Sequence, residues 1–309
     1  MTISVIDIGT NTILLLVAQT EGRRIGKVLH DEQVIARLGK RVDERRLIQQ
    51  ESFERAANFL AAYRRTSERL ESERITAVGT SAIRDASNRK EFCEFVHRKT
   101  GITIEVLNGE EEAEWTFQGA IGENSGTSET FTVLDIGGGS TEIIVGTRAK
   151  TLQKVSLDIG CVRISERVLR SLPPTKEMIS NARSVIREAL GKVEFDGINA
   201  STAVAVAGTV TTLAAIRLRL AEYDPTRVEG FVLRLRDVEE EFDRLKEKTI
   251  DELRTIPQIS PGRADILLAG VLILRELMEW GHLDKITVSD RGLRYGILLR
   301  EIRRSQGYH

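Results

Sequence analysis

Cysteine is scarce in this chain: the 309 residues hold two, Cys93 and Cys161, far apart and in no CxxC pair. That spacing offers no disulfide framework and no redox dithiol, so two reduced thiols are expected. Histidine is equally sparse, with His30, His97, His282 and His309 scattered along the sequence. A zinc site built from histidine and cysteine therefore has no cluster to draw on. Five prolines are too few for a low-complexity or fibrous chain. An excess of one charge is missing too: 45 Lys and Arg stand against 46 Asp and Glu, a formal net charge of −1. Such a protein has no attractive field for a polyanion and must bind one through local basic residues and backbone amides; no nucleic-acid partner is expected. The longest apolar stretch, Ile266 to Leu274, meets Arg275 and Glu276 well short of the ~20 residues that span a bilayer, so no membrane partner is expected. The opening Met1-Thr2-Ile3-Ser4-Val5 runs into Asp7 and lacks the basic start and apolar core of a secretory signal. The expected location is the cytoplasm.

Apolar residues make up 41% and charged residues 29%, a balance that suits a compact globule long enough for two domains, each with its own core. The pattern alternates strands and helices, as in an α/β fold. Three strands open the chain, at Ser4 to Ile6, Ile13 to Gln19 and Lys27 to Ala36. A helical period follows over Ser52 to Leu70, with Phe53, Ala56, Ala57, Leu60 and Tyr63 on one face. After a strand at Ile75 to Val78, a helix from about Arg89 is expected to stop at Gly101. A strand follows at Ile102 to Leu107, and then a helix starts within Gly109-Glu110-Glu111-Glu112, whose acids suit the positive end of the helix dipole. The polar stretch Gly122 to Glu129 reads as a domain boundary. Beyond it the theme repeats: three strands at Phe131 to Leu134, Thr141 to Gly146 and Thr151 to Leu157, then helices and further strands. Ala203 to Ala207 is expected to run into a helix at Gly208. Asp237 is expected to cap a helix from Val238 to Lys248, Pro261 to Trp280 to form one long helix, and Gly292 to Arg304 to close the chain.

The repetition is sharpest at two turns. Ile6-Asp7-Ile8-Gly9-Thr10-Asn11-Thr12 is echoed by Leu134-Asp135-Ile136-Gly137-Gly138-Gly139-Ser140-Thr141, each between two apolar strands. A turn of Gly with Thr or Ser exposes consecutive N–H groups and hydroxyls that can hold phosphate oxygens without a cation. The Asp at each strand end adds a hard oxygen ligand for Mg²⁺, usually through water. A third Asp-Ile-Gly, Asp158 to Gly160, lacks the Gly/Ser turn and reads as strand-end structure.

These motifs, together with Val78-Gly79-Thr80-Ser81-Ala82-Ile83-Arg84, Asn108-Gly109-Glu110-Glu111-Glu112-Ala113, Ala207-Gly208-Thr209-Val210-Thr211-Thr212 and Ser289-Asp290-Arg291-Gly292-Leu293-Arg294, resemble the exopolyphosphatase and guanosine pentaphosphate phosphohydrolase family of the actin, hexokinase and chaperone ATPase superfold. The resemblance runs almost end to end. It implies two ribonuclease-H-like, actin-like ATPase domains flanking an interdomain cleft, residues 1–124 and 125–309, with the closing helix packing back on the first. By resemblance, Glu112 is the catalytic carboxylate that orients and deprotonates water. Gly9, Thr10, Asn11, Thr12, Gly137, Gly138, Gly139 and Ser140 contact phosphate. Arg84 and Arg263 face phosphate as forked, always-charged donors. Asp135 and Glu142 match the family's metal-binding acids, with Asp7 the counterpart in the first half, for Mg²⁺ or Mn²⁺. Gly208 and Thr209 open a helix that either holds a phosphate or guanosine group or is a packing turn. The basic group Arg37, Lys40, Arg41, Arg45 and Arg46 either guides a polyanion or is a solvated face.

Phosphoanhydride hydrolysis needs positioning and charge stabilisation more than covalent help, and one carboxylate in a run of acids suits it as the base. The expected activity is release of orthophosphate from inorganic polyphosphate, with guanosine pentaphosphate as the alternative substrate. A kinase of the same superfold would need an acceptor pocket with its own base, and a filament or binding protein would need a further module. Longer family members carry an additional helical C-terminal module, whereas this sequence stops just past its closing helix, so shorter polyphosphates are the expected substrates. The resemblance also allows a homodimer.

Overall fold

The computed structural model describes residues 1–122, 129–195, 198 and 202–306. Its contacts divide the chain into two units, Met1–Glu123 with Gly292–His309, and Asn124–Arg291. Most of the expected boundary, Gly122 to Glu129, lies outside the described residues.

The first unit starts with β1 (Thr2–Ile8), β2 (Thr12–Glu21) and β3 (Arg24–Ile35), an antiparallel meander. There follow α1 (Val42–Arg45), α2 (Gln50–Arg69), β4 (Arg74–Gly79), α3 (Ser81–Asp85), α4 (Arg89–Thr100), β5 (Ile104–Val106) and α5 (Gly109–Ile121). The sheet order is β3-β2-β1-β4-β5, with β4 parallel to both β1 and β5. β1 lies in the middle of the sheet, and its apolar residues divide between two cores, Ile6 and Ile8 in one and Ile3 and Val5 in the other, so Ile3, Val5, Ile6 and Ile8 are all buried. On one side α2 and α4 bring Phe53, Leu60, Tyr63, Phe92 and Val96 onto the sheet, and the Phe53 and Phe92 rings meet edge to face at 5.1 Å. Gly101 ends α4 with φ 71°, a left-handed value that costs glycine nothing.

The second unit repeats the plan with β6 (Thr130–Ile136), β7 (Thr141–Thr147) and β8 (Thr151–Leu157). Its remaining elements are α6 (Cys161–Arg167), α7 (Lys176–Leu190), β9 (Thr202–Val206), α8 (Gly208–Arg217), α9 (Pro225–Val228), β10 (Val232–Arg234), α10 (Leu235–Leu245), α11 (Ile250–Arg254), α12 (Leu267–Trp280) and β11 (Lys285–Val288). The order β10-β11-β9-β6-β7-β8 matches that of the first sheet, with β10 added antiparallel at one edge. α12 is buried on nearly every side, as its almost wholly apolar sequence requires. Its buried Glu276 is held by Arg183 at 2.8 Å and by Arg187, both from α7.

Two expectations need correction. The helix expected from Pro261 begins at Leu267, because Arg263 N and Ile266 N donate three residues back, to Ser260 O and Arg263 O, and close turns instead. Asp237 is not the N-cap residue itself; it caps from inside the first turn of α10, accepting from the N–H of the N-cap residue Arg234 at 2.9 Å. The short elements α1, α3, α9, α11 and β10 were not expected, since three to five residues carry no readable period. Cys93 and Cys161 are free thiols. Among the described residues no helix is long and apolar enough to cross a membrane.

The last helix, α13 (Leu293–Ser305), belongs to the first unit, where it packs on α5 and β1. Arg294 grips Asp31 through two bonds of 3.1 and 3.0 Å, and Arg300 grips Glu105 through two of 2.8 and 2.6 Å. The crossing with α5 depends on two glycines. A Cβ on Gly296 would stand 1.7 Å from Trp115 O, and one on Gly119 would stand 2.2 Å from Gly292 O. Both obstacles are backbone atoms that cannot swing aside. Gly296→Ala should therefore destabilise the protein by at least ~1–3 kcal/mol, the usual cost of overpacking, read as a lower urea midpoint; an unchanged midpoint would show that the helices can separate freely.

Candidate active site

In the first unit, Asp7 lies one residue before the end of β1, and Gly9, Thr10 and Asn11 turn the chain into β2, which starts at Thr12. Gly9 N closes the turn on Thr12 O at 2.9 Å. The turn's own carbonyls are occupied from one side: Gly39 N donates to Thr10 O at 2.7 Å, and Ala36 N and Arg37 N both donate to Asn11 O at 2.9 Å. The segment that does this carries the basic group. Lys40, Arg41, Arg45 and Arg46 are exposed, and Arg37, Arg41 and Arg46 hold left-handed φ values of 48°, 60° and 55°.

Parallel pairing sets β4 beside β1, with Val78 in register with Asp7, so the chain leaves β4 next to the turn and enters α3, which carries Arg84. Arg84 Nη1 donates to Glu112 Oε2 at 2.6 Å and to Leu107 O at 3.3 Å. The three acids at the start of α5 thus separate in role. Glu110 is exposed. Glu111 completes a capping box, accepting from Asn108 N while its own N–H donates to Asn108 Oδ1, both at 2.9 Å. Glu112 alone points inward, 7% exposed and paired with the arginine.

Burial pushes the Glu112 carboxyl above its ordinary range. The Arg84 charge and hydrogen bond pull it down, Asp85 raises it further, and a bond from Thr80 lowers it; the net direction is up. A carboxylate that is harder to keep ionised is a stronger base near neutral pH.

In the second unit, Asp135 and Glu142 are direct register partners on β6 and β7. Opposite residues of an antiparallel pair project from the same face with Cβ atoms about 5 Å apart. Ser156 Oγ, on β8, donates to Glu142 Oε1 at 2.7 Å and fixes the buried carboxylate. In the first sheet the residue facing Asp7 is Leu14, so the two-carboxylate arrangement belongs to the second unit. Among the described residues no three His, Cys, Asp or Glu side chains gather as a metal cage. Mg²⁺ needs none: it takes oxygen ligands from one or two carboxylates, with water and substrate phosphate completing its shell, and Mn²⁺ accepts the same donors. The Asp135 and Glu142 pair fits such an ion.

The turn Gly137 to Ser140 closes by Gly137 N donating to Ser140 O at 3.1 Å. Farther along, Gly208 starts α8 after Ala207, whose φ of 73° and ψ of 176° store strain of about 1–3 kcal/mol in a non-glycine residue. The Arg263 guanidinium lies flush on Gly208, where a Cβ would come within 1.6 Å of Nη1. Thr209 is turned away and buried on Gly270 of α12. Arg263 also acts on the charge of Cys161, whose thiol burial pushes up to about 11 while Arg263 pulls it down, and Cys161 N donates to Gly137 O at 2.9 Å. The structure therefore brings together Arg84 with Glu112, Asp135 with Glu142, and Gly208 with Arg263. The bearing of Thr80 and Ser156 on the two acids went unforeseen: Thr80 stood within a motif but was given no role, and Ser156 is an isolated hydroxyl that carries no pattern.

Two like-ordered mixed sheets, each with an acid and a glycine turn at the end of its central strand, define a duplicated phosphate-handling α/β protein. A sequence model of the Ppx/GppA phosphatase family matches residues 16–305. Exopolyphosphatase 2 of Mycobacterium tuberculosis is 36% identical over 96% of this chain and 97% of its own length. A guanosine-5'-triphosphate,3'-diphosphate pyrophosphatase of Aliivibrio fischeri is 28% identical over 94% of this chain, but only 57% of its own length is covered. The crystal structure of the Aquifex aeolicus Ppx/GppA family member superposes with a TM-score of 0.81 at 32% identity, covering 100% of this chain and 99% of that one. The chain belongs to the Ppx/GppA phosphatase family, actin-like ATPase-fold hydrolases of phosphoanhydride bonds.

The raised Glu112 pKa has a consequence for stability. Between the ordinary carboxylate pKa and the raised one, the folded state binds more protons than the unfolded state, so this residue's contribution is present below that window and lost as pH rises through it. Glu112→Gln, which mimics the neutral form, should melt higher than the parent at pH 8, with the gap closing towards pH 4; a variant that melts lower at pH 8 would contradict the assigned direction.

Proposed function

We propose that this chain is an exopolyphosphatase that releases orthophosphate from the end of inorganic polyphosphate, using water activated by Glu112. The observation that carries this reading is the buried Glu112 carboxylate held by Arg84 at 2.6 Å. The first unit supplies the base. As the water oxygen bonds to the terminal phosphorus, Glu112 takes the water's proton, the bridging P–O bond breaks, and the shortened chain leaves with the bond's electrons. Arg84 keeps the carboxylate oriented and limits the effect of its burial. Considered by itself, the second unit has amides and a hydroxyl at Gly137 to Ser140 that suit phosphate oxygens. Arg263, lowered in pKa by desolvation yet still a cation, adds charge beside Gly208. Mg²⁺ or Mn²⁺, held by Asp135 and Glu142 when bound, would neutralise charge on those oxygens.

Similarity to an exopolyphosphatase across nearly the whole of both chains supports polyphosphate as substrate. Similarity to the Aliivibrio pyrophosphatase supports guanosine pentaphosphate as the second reading. Tripolyphosphate, longer polyphosphate and guanosine pentaphosphate, each assayed for orthophosphate with Mg²⁺ and with chelator, separate the two. Release from polyphosphate without any acceptor is expected, and it should stop with chelator. Release from guanosine pentaphosphate alone would favour the second reading, and a strict need for an acceptor would make the protein a kinase. Glu112→Gln should lower turnover roughly 10²–10⁴-fold with an unchanged circular dichroism spectrum; full activity would remove Glu112 as the base.

A further inference from the structure

The third Asp-Ile-Gly, set aside as strand-end structure, lies directly under the glycine turn of the second unit. Cys161 N donates to Gly137 O at 2.9 Å, while Val162 N and Arg163 N donate to Gly138 O at 2.9 and 3.2 Å. Gly160 permits the approach, since a Cβ there would stand 2.4 Å from Gly138 O. The next carbonyl along, Gly139 O, is taken by a side chain: Arg163 Nε donates to it at 2.7 Å. A planar trans peptide sets its C=O and N–H on opposite sides. Holding the carbonyls of Gly137, Gly138 and Gly139 against α6 therefore turns the N–H groups of Gly138, Gly139 and Ser140 the other way, as an anion-binding concavity requires. Two of the three carbonyls are set by backbone, and the third depends on Arg163.

The geometry points to Arg163 as a positioning residue for the phosphate-binding turn, holding the Gly139–Ser140 peptide so that its N–H faces substrate. This rests on the phosphohydrolase reading above and adds a residue to it. The ion pair of Arg163 with Asp158 is a weak one. Arg163 is 5% exposed, but Nη2 is 3.6 Å from Asp158 Oδ1, and that carboxylate is 80% exposed, where an ion pair contributes little. The role is assigned to the donor at the Nε position, because it is that atom, and not the Asp158 pair, that reaches the turn.

That distinction can be tested, because Gln places Nε2 at the same bond count from Cα as Arg Nε, whereas Met places a methyl carbon there. Purified Arg163→Gln, Arg163→Met and Asp158→Asn are compared with the parent for kcat and KM on tripolyphosphate, and for amide hydrogen exchange of the peptide spanning 134–142. If the turn binds ground state and transition state alike, Arg163→Met raises KM ~10-fold or more with kcat within ~3-fold, and exchange at the turn speeds up. Arg163→Gln and Asp158→Asn stay within ~3-fold of the parent on each measure. Equal impairment of the Gln and Met variants, or a parental KM and exchange rate in Arg163→Met, overturns the assignment. Should Arg163→Met fail to fold, Arg163→Lys, which keeps the charge but carries a methylene at the Nε position, takes its place with the same expectation. A parent that releases no orthophosphate from any polyphosphate sinks the functional reading instead, while the exchange comparison still decides the role of Arg163.

Discussion

A peptide's carbonyl and amide point opposite ways, and both glycine turns are built on that fact. In each unit the segment following the third strand of the meander lays its N–H groups against the turn's carbonyls: Ala36, Arg37 and Gly39 in the first, Cys161, Val162 and Arg163 in the second. A carbonyl oxygen held on that side cannot face a phosphate. The turn is left presenting donors, and an anion can be bound without a cationic side chain touching it. Arg55 extends the arrangement in the first unit, donating from Nε to Ala36 O at 2.7 Å and so fixing the segment that fixes the turn.

The two units share this frame and then diverge in chemistry. At the end of the central strand both carry aspartate, but the strand beside it offers Leu14 in one and Glu142 in the other. One unit can gather two hard oxygen ligands; the other instead buries a glutamate, Glu112, beside an arginine. Glu112 lies inside because Arg84 makes its burial tolerable: a carboxylate taken from water needs a paired, hydrogen-bonded cation. Desolvation still wins in part and leaves the group more basic than a surface glutamate. Structural stability and base strength thus oppose each other at a single side chain, as expected where a carboxyl pKa is set by its environment.

Much of this could be read in the residues. The alternation of apolar runs with helical periods located the long helices and most strands, and the repeated Asp-Ile-Gly motifs located both glycine turns. What escaped was short or relational. Five residues of α3 carry no period, yet they place Arg84. The Glu110, Glu111 and Glu112 run is three identical side chains in sequence; only the capping box at Asn108 and the proximity of Arg84 separate them. The Asp158 to Gly160 echo was visible, but its use was not, because its contacts are with carbonyls more than twenty residues earlier.

By itself, then, the amino-acid order determined the duplicated α/β plan, the two glycine turns and the acids beside them, since these follow from local periodicity and from what glycine alone can do. Tertiary structure decided which acid is buried beside a cation, which aspartate gains a second carboxylate across its sheet, and which arginine steadies a turn in place of binding its ligand. Those are facts of register and burial, and both arise between segments distant in the chain.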